Sequence, residues 1–309
     1  MQAVLSFFST LWTALPRTVS QGLIWGVMAI GVYITYKILD VADLTVDGSF
    51  CTGAAVCGIL ITNGVNVYVA LLCAFIAGAL AGLMTGLFHT LLGIPAILAG
   101  ILTQLMLWTV NLKIMAGKAN LSIPGRSVQV ILTQMKPTGA IIALLIIAAV
   151  LIAALYLFFG TALGAGIRAT GNNLNMARAQ GINTNLNKVI GLMLSNGIVA
   201  VSGSLLAQFQ GFSDINMGRG AIVIGLAAVI IGEAIFSRIA KNFAVRLAGV
   251  LVGGVIYYIV YQIVSLLGLD TDYLKMLSAL VVAIFLGIPY LKRTYFAKKK
   301  AGKGGKENA

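Results

Sequence analysis

Charge is what this sequence has least of. Asp, Glu, Lys and Arg make up 9% of its 309 residues, against 60% hydrophobic residues, where a soluble globular protein carries about 25% charged residues. So few charges cannot cover the surface of a water-soluble domain, which excludes the soluble-enzyme class at the outset. Acids are scarcest, eight against 21 Lys and Arg. Histidine occurs once, at His89, so a His-based metal centre or proton relay cannot be assembled. The three cysteines, Cys51, Cys57 and Cys73, sit in apolar runs and read as small buried hydrophobes, not as a disulfide framework or zinc site. No GxxxxGK[ST] loop occurs, so the chain carries no P-loop with which to draw on ATP by itself. Residues 1–16 lack a basic n-region and a clear cleavage site, which is not the pattern of a signal peptide.

Apolar sequence is abundant. Nine apolar segments can be read, at residues 19–39, 48–63, 67–88, 94–111, 139–160, 188–207, 220–236, 246–267 and 273–290. A membrane crossing needs about 20 such residues. Ahead of them, residues 4–15 read as a short interfacial helix ending at Pro16. The expected architecture is an all-α, polytopic membrane helix bundle of about nine spans. Residues 1–18 form the interfacial helix, 19–290 the transmembrane domain and 291–309 a basic tail. The second and seventh segments are too short for a comfortable crossing, and each follows a polar, glycine-bearing stretch. That predicts broken or re-entrant helices, which membranes tolerate only where the backbone is buried in protein or lines a cavity.

Basic residues orient the bundle. With the C-terminal tail inside, the inner set is Lys37, Arg168, Arg178, Lys188, Arg238, Lys241, Arg246 and seven residues from Lys292 to Lys306. The outer set is Arg17, Lys113, Lys118, Arg126, Lys136, Arg219 and Lys275. The inner excess follows the positive-inside rule and places the N-terminus outside. The net charge of +13 therefore reads as membrane topology. The lysine-rich tail reads as attraction to anionic lipid. Nucleic-acid binding would need a folded platform or interleaved aromatics, which this tail lacks.

The chain also repeats itself. Asp-Leu-Thr-Val-Asp-Gly at 43–48 matches Asp-Ile-Asn-Met-Gly-Arg-Gly at 214–220, each after an apolar span opening with Gly-Leu, at Gly22 and Gly191. An odd number of spans separates the two units, so the copies have opposite orientation. Inverted repeats with broken helices are a transporter signature. Gly78, Gly82 and Gly86, and again Gly249 and Gly253, recur at a four-residue spacing that lets helix backbones approach closely.

Polar residues within the apolar segments are functional candidates, because they are costly there. Asp43, Thr45 and Asp47 stand at the first break, Asp214 and Asn216 at the second, and Glu233 within the seventh segment. For Asp43 and Asp214, helix capping and gate lining are both open, and compatible. For Glu233 the plain alternative is an interfacial ion pair with Arg238. The polar loop 161–187 contains a candidate short helix, about Leu174 to Gln180, capped by Asn172 or Asn173 and ended by Gly181. So short a helix is not stable alone in water. It needs a partner surface, either the chain's own bundle or a cytosolic protein.

The runs Gly171-Asn172-Asn173 and Ala177-Arg178-Ala179-Gln180-Gly181-Ile182-Asn183 resemble the cytoplasmic loop of bacterial ABC-importer permeases of the branched-chain amino acid and ribose class. Ala42 to Ser49 resembles that family's Asp-Leu-Ser-Val-Gly motif, with Asp47 inserted relative to the ribose-type form. Ala221 to Glu233 resembles a later helix of the family. Together the resemblance covers most of residues 20–290. Ribose-type members carry a further N-terminal span that is not read here. Gly31-Val32-Tyr33 through Gly48-Ser49-Phe50 is similar to a subgroup paired with binding proteins for tryptophan or tyrosine. The resemblance implies a coupling helix seated in a cleft of a cytosolic ATP-binding subunit, carried by Gly171, Asn172, Ala177, Arg178, Gly181, Ile182 and Asn183. It further implies an extracellular binding protein, a second copy of the chain, the bacterial plasma membrane, no cofactor of the chain's own, and ATP bound by the partner. The alternative is an ion-gradient-driven secondary transporter, which the scarcity of intramembrane acids weakens. An integral membrane enzyme lacks any nucleophile–base or metal constellation.

Overall fold

The computed structural model describes residues 2–123, 130–132, 137–236 and 242–266, with single positions at 276, 280, 283 and 287. The basic tail, most of the expected ninth segment and Arg238 lie outside the described residues. Among the described residues the α-helices are α1 (Gln2–Tyr33), α2 (Val46–Thr62), α3 (Val67–Thr90), α4 (Ala96–Ile114), α5 (Pro137–Gly160), α6 (Ala162–Asn172), α7 (Leu174–Ala179), α8 (Thr184–Gln210), α9 (Ala221–Phe236) and α10 (Phe243–Leu266). Six stretches are long and apolar enough to cross a membrane, namely Thr10–Ile38, Val67–Thr90, Ala96–Ile114, Thr138–Gly160, Thr184–Gln210 and Phe243–Leu266. The chain is a multi-pass membrane helix bundle. The 17 residues of α2 and 16 of α9 give helices of about 25 Å, short of a hydrocarbon core about 30 Å thick.

Three sequence expectations need correction. First, α1 does not stop at Pro16 but runs through it. Membrane helices accommodate proline where side chains and neighbouring helices support the backbone, and on this stretch Thr18 and Ser20 donate to the carbonyls of Ala14 and Pro16. Second, the fold is not purely helical. Strands β1 (Asn120–Ser122) and β2 (Phe212–Asp214) pair antiparallel, with Asn120 opposite Asp214. Three-residue strands are too short to leave an alternating pattern in sequence. Third, much of the expected loop 161–187 is helical. After a bend at Thr161, whose hydroxyl accepts the Gly164 N–H, α6 folds back with Ile167 and Thr170 buried.

Three helices, α1, α2 and α8, form most of the interior. α1 and α8 are mostly buried, whereas α3, α4 and α5 expose most of their length. Packing polar side chains into this interior requires partners, and α8 finds them on α1. Ser195 donates to the carbonyl of Gly31 and Ser202 to that of Ile24, both at 2.7 Å. On the other side of α8 the glycine stripe of α3 lies flat. A Cβ at Gly78 would meet Asn196 and Ala200, one at Gly82 would meet Leu192, and one at Gly86 would meet Val189. The second pair acts likewise: Gly249 and Gly253 of α10 pack on Phe236, Gly232 and Ala228 of α9. Small residues here substitute backbone contact for side-chain filling.

The stripe gives a direct test. Gly82→Leu should push α3 off α8 and cost about 1–3 kcal/mol through overpacking, seen as a lowered melting temperature in detergent. Leu80→Ala, at an exposed position of the same helix, should leave melting unchanged. Equal melting of the Gly82 variant and the parent would contradict the packing.

Candidate functional site

The bundle has two polar ends: one carries the β1–β2 sheet and the other carries α7. At the α7 end, α1 loosens into a π-helical turn, Ile34–Ile38. Asp40 then takes a left-handed backbone, φ 53°, a conformation Asp tolerates better than most residues. The chain returns into the bundle through residues 39–45 and starts α2 at Val46.

This first break is built on Asp43, which is 2% exposed. One carboxylate oxygen accepts the Thr45 N–H at 2.9 Å; the other accepts the Asn196 amide at 2.6 Å. Asn196 in turn accepts the Ser49 hydroxyl at 2.6 Å. Beside it the Thr45 hydroxyl bonds Thr85 at 2.6 Å, and Thr85 donates to Thr103 at 2.9 Å. Asp43 and Thr45 are therefore interior residues that hold the break. Asp43 also does not cap α2 directly, since the N-cap is Thr45 and makes no side-chain cap bond.

The second break lies at the sheet end. Asp214 accepts the Asn216 N–H at 2.7 Å, closing the same two-residue turn that Asp43 closes with Thr45. Asn120 lies 3.5 Å from its other oxygen. Asp214 is half-buried and Asn216 exposed, so these two stand in an open setting that the first break lacks. The cap of α9 comes from elsewhere. Asp47, on the first turn of α2, accepts the N–H groups of Gly220 at 2.9 Å and Ile222 at 3.0 Å. Cys51, one turn on, donates to the Ile215 carbonyl and accepts the Gly218 N–H. The first short helix thus holds the start of the second, a pairing across about 170 residues that local capping rules do not reveal.

Glu233 forms an ion pair with Lys37 at 3.2 Å; its expected partner, Arg238, lies outside the described residues. The break after α1 delivers Lys37 to the same end of the bundle. Lys37, Tyr33, Asp40, Arg168, Asn172 and Arg246 line a cavity of about 930 Å³ there.

At the α7 end the short helix forms as its sequence predicts. Asn173 is the N-cap and accepts the Met176 N–H at 3.0 Å. The C-terminus closes by a Schellman motif. Ile182 N–H bonds the Ala177 carbonyl, Gly181 N–H bonds that of Arg178, and Gly181 has φ 76°. Asn183 caps α8 through the Leu186 N–H, and Arg178 donates to Thr184 at 3.1 Å. Not all the expected coupling residues face outward. Ala177 is buried, on the side of the chain's own helices. Gly171 packs against the Ile38 carbonyl, where a Cβ has no room. The outward face carries Met176, 60% exposed, which sequence reasoning missed. A methionine flanked by exposed polar positions on so short a helix was the available signal.

Residues 15–286 match the family described as branched-chain amino acid transport system / permease component. The chain belongs to this family of ABC-importer permeases. The permease is 43% identical over 269 residues to the tyrosine transport system permease protein of Clostridioides difficile (strain R20291), covering 86% of this chain and 88% of that one. It is 34% identical over 281 residues to an uncharacterized protein of Rickettsia prowazekii (strain Madrid E), covering 90% and 98%. With the autoinducer 2 import system permease protein LsrC of Salmonella paratyphi B (strain ATCC BAA-1250 / SPB7) it shares 28% over 224 residues, 71% of this chain and 62% of that one. The permease is a transport component, not an enzyme, and works in a membrane complex with an ATP-binding subunit. That assignment supersedes the ion-gradient alternative.

The cross-helix cap can be measured. Asp47→Ala should lower thermal stability in detergent by about 1–2 kcal/mol, the worth of a good N-cap, while Asp47→Asn should keep most of it. If the alanine variant melts like the parent, Asp47 does not hold α9.

Proposed function

We propose that the permease imports an amino acid with an aromatic side chain, handed to its outer face by an extracellular binding protein. Two copies of the chain line the path, and ATP is bound and hydrolysed by the separate cytosolic subunit. The observation that carries the coupling half of this reading is α7. It is a six-residue helix that is closed at both ends, rigidly mounted through Ala177, and presents Met176 to the outside. Methionine is an adaptable contact for a partner's cleft, and a capped helix transmits a push without fraying. The substrate class rests on the name of the Clostridioides difficile relative, which covers nearly the whole length of both chains.

In this reading the α7 end is cytoplasmic and the sheet end faces outward. Lys37, Arg168, Arg178, Lys188 and Arg246 lie toward the first and Lys113, Lys118 and Arg219 toward the second, which fits the positive-inside rule. The N-terminus is then outside and the tail inside, with nine spans once the segment 273–290 is counted. The inverted repeat is supported by the matched turns at Asp43–Thr45 and Asp214–Asn216, each followed by a helix of 16 or 17 residues. Asp47, Asp214 and Asn216 belong to the outer gate. Glu233 and Lys37 hold the inner one, while Asp43 and Thr45 anchor the hinge between them.

Met176→Asp tests the coupling face. Losing this apolar contact should weaken co-purification of the ATP-binding subunit by about ten-fold or more, the cost of one buried apolar side chain, with the permease's melting unchanged. Full co-purification and full ATP-driven uptake by this variant would remove α7 from the coupling role.

A further inference from the structure

Next to Asp47, at the sheet end, lies a small cavity of about 120 Å³ lined by Asp47, Cys51, Gln104, Trp108, Asn111 and Arg219. Its residues come from α2, α4 and the second break, so it sits where the two halves of the repeat meet. We propose that it is a station on the transport path that grips the α-ammonium and α-carboxylate of an amino acid, with Trp108 against the side chain. This deepens the reading of the permease as an aromatic amino acid importer and rests on it.

Four observations carry the inference. The first is charge: the lining brings together one carboxylate, Asp47, and one guanidinium, Arg219. A zwitterion needs both signs, and neither a cation nor an anion alone does. Among the described residues Arg219 pairs with no acid, the one ion pair there being Lys37–Glu233, so the guanidinium is not spent on a partner carboxylate. Arginine suits a carboxylate through its planar fork of donors.

The second is Asn111. It is 1% exposed, and its buried Oδ1 accepts no hydrogen bond from the protein. Buried acceptors are normally paired, so an unpaired one on a residue that lines the cavity points to a donor from outside the chain. An ammonium group supplies it, and Asp47 supplies the matching charge. Asp47 keeps acceptor capacity for this, because its carboxylate is held by the backbone N–H groups at the start of α9 and offers about four lone-pair positions.

The third is size. Sites that enclose a whole ligand run to about 300–1,000 Å³, and this cavity is well below that. It suits the polar end of an amino acid, with the side chain left outside the mouth. The fourth is what stands at that mouth: Trp108 is 47% exposed. An indole on a polar cavity's rim offers a stacking face to an aromatic side chain. Anchoring only the constant part of an amino acid firmly, and the variable part loosely, suits a site that must release its cargo at each cycle.

The test uses the assembled complex in proteoliposomes, with ATP inside and the loaded binding protein outside, and reads initial uptake of radiolabelled L-tyrosine. Arg219→Gln and Trp108→Ala should each lower uptake by about ten-fold or more, as expected for losing one charge-assisted or stacking contact. Their melting and their co-purification with the ATP-binding subunit should match the parent. Arg219→Lys should recover part of the loss, and Leu102→Ala, on the exposed side of α4, should change nothing. Wild-type uptake by all the cavity variants would overturn the assignment. So would uptake lost only in variants that fail to assemble, if photolysis of p-azido-L-phenylalanine on the wild-type complex labels peptides other than α4 around Trp108. Label at that peptide supports the site without any substitution. If the wild-type complex hydrolyses ATP on binding-protein contact yet moves no aromatic amino acid, the cavity assignment falls and the importer mechanism stands. If contact stimulates no hydrolysis either, both fall.

Discussion

The 2.6 Å hydrogen bond from the Asn196 amide to the Asp43 carboxylate joins the first break in the chain to the middle of α8. Backbone that leaves a helix inside a bilayer must find partners within the protein, because no water or lipid group will supply them. Asp43 closes the turn that starts α2, and Asn196 fixes Asp43. The same short stretch of α8 reaches every neighbour that matters: Ser195 bonds Gly31 of α1, Asn196 accepts Ser49 of α2, and its carbonyl lies against Gly78 of α3. One turn of a buried helix therefore sets the spacing of three others.

From that anchor the arrangement at the sheet end follows. With α2 fixed at its start, Asp47 points at the second break and Cys51 binds the loop that leads into α9. α9 is then held at both ends, by Asp47 at one and by the Lys37–Glu233 pair at the other. Where α3 meets α8 and where α9 meets α10, the packing is glycine against backbone.

Much of this was legible in the sequence, because the bilayer imposes long apolar runs and glycine spacings that are local. The segments read at 67–88 and 94–111 became α3 and α4 at 67–90 and 96–114, and both glycine stripes found the close contacts their spacing implied. Asn173 and Gly181 bound α7 as capping rules require. What was not legible depends on partners far away in the chain. Asp47 reads locally as a first-turn acid of α2, yet it caps α9. Glu233 pairs with Lys37, about 200 residues away in the chain. Ala177 looked like part of a docking face because helix position alone does not say which side the bundle covers. The two three-residue strands and the fold-back of α6 lacked a pattern long enough to detect.

The central claim is that Asp43 and Asn196 act as one unit. Asp43→Ala, Asn196→Ala and the double variant, unfolded in detergent under identical conditions, measure this directly. The account predicts a coupling energy of about 1–3 kcal/mol, with the second substitution costing far less once the first is made. Strictly additive effects, with each substitution costing the same in either background, would contradict it.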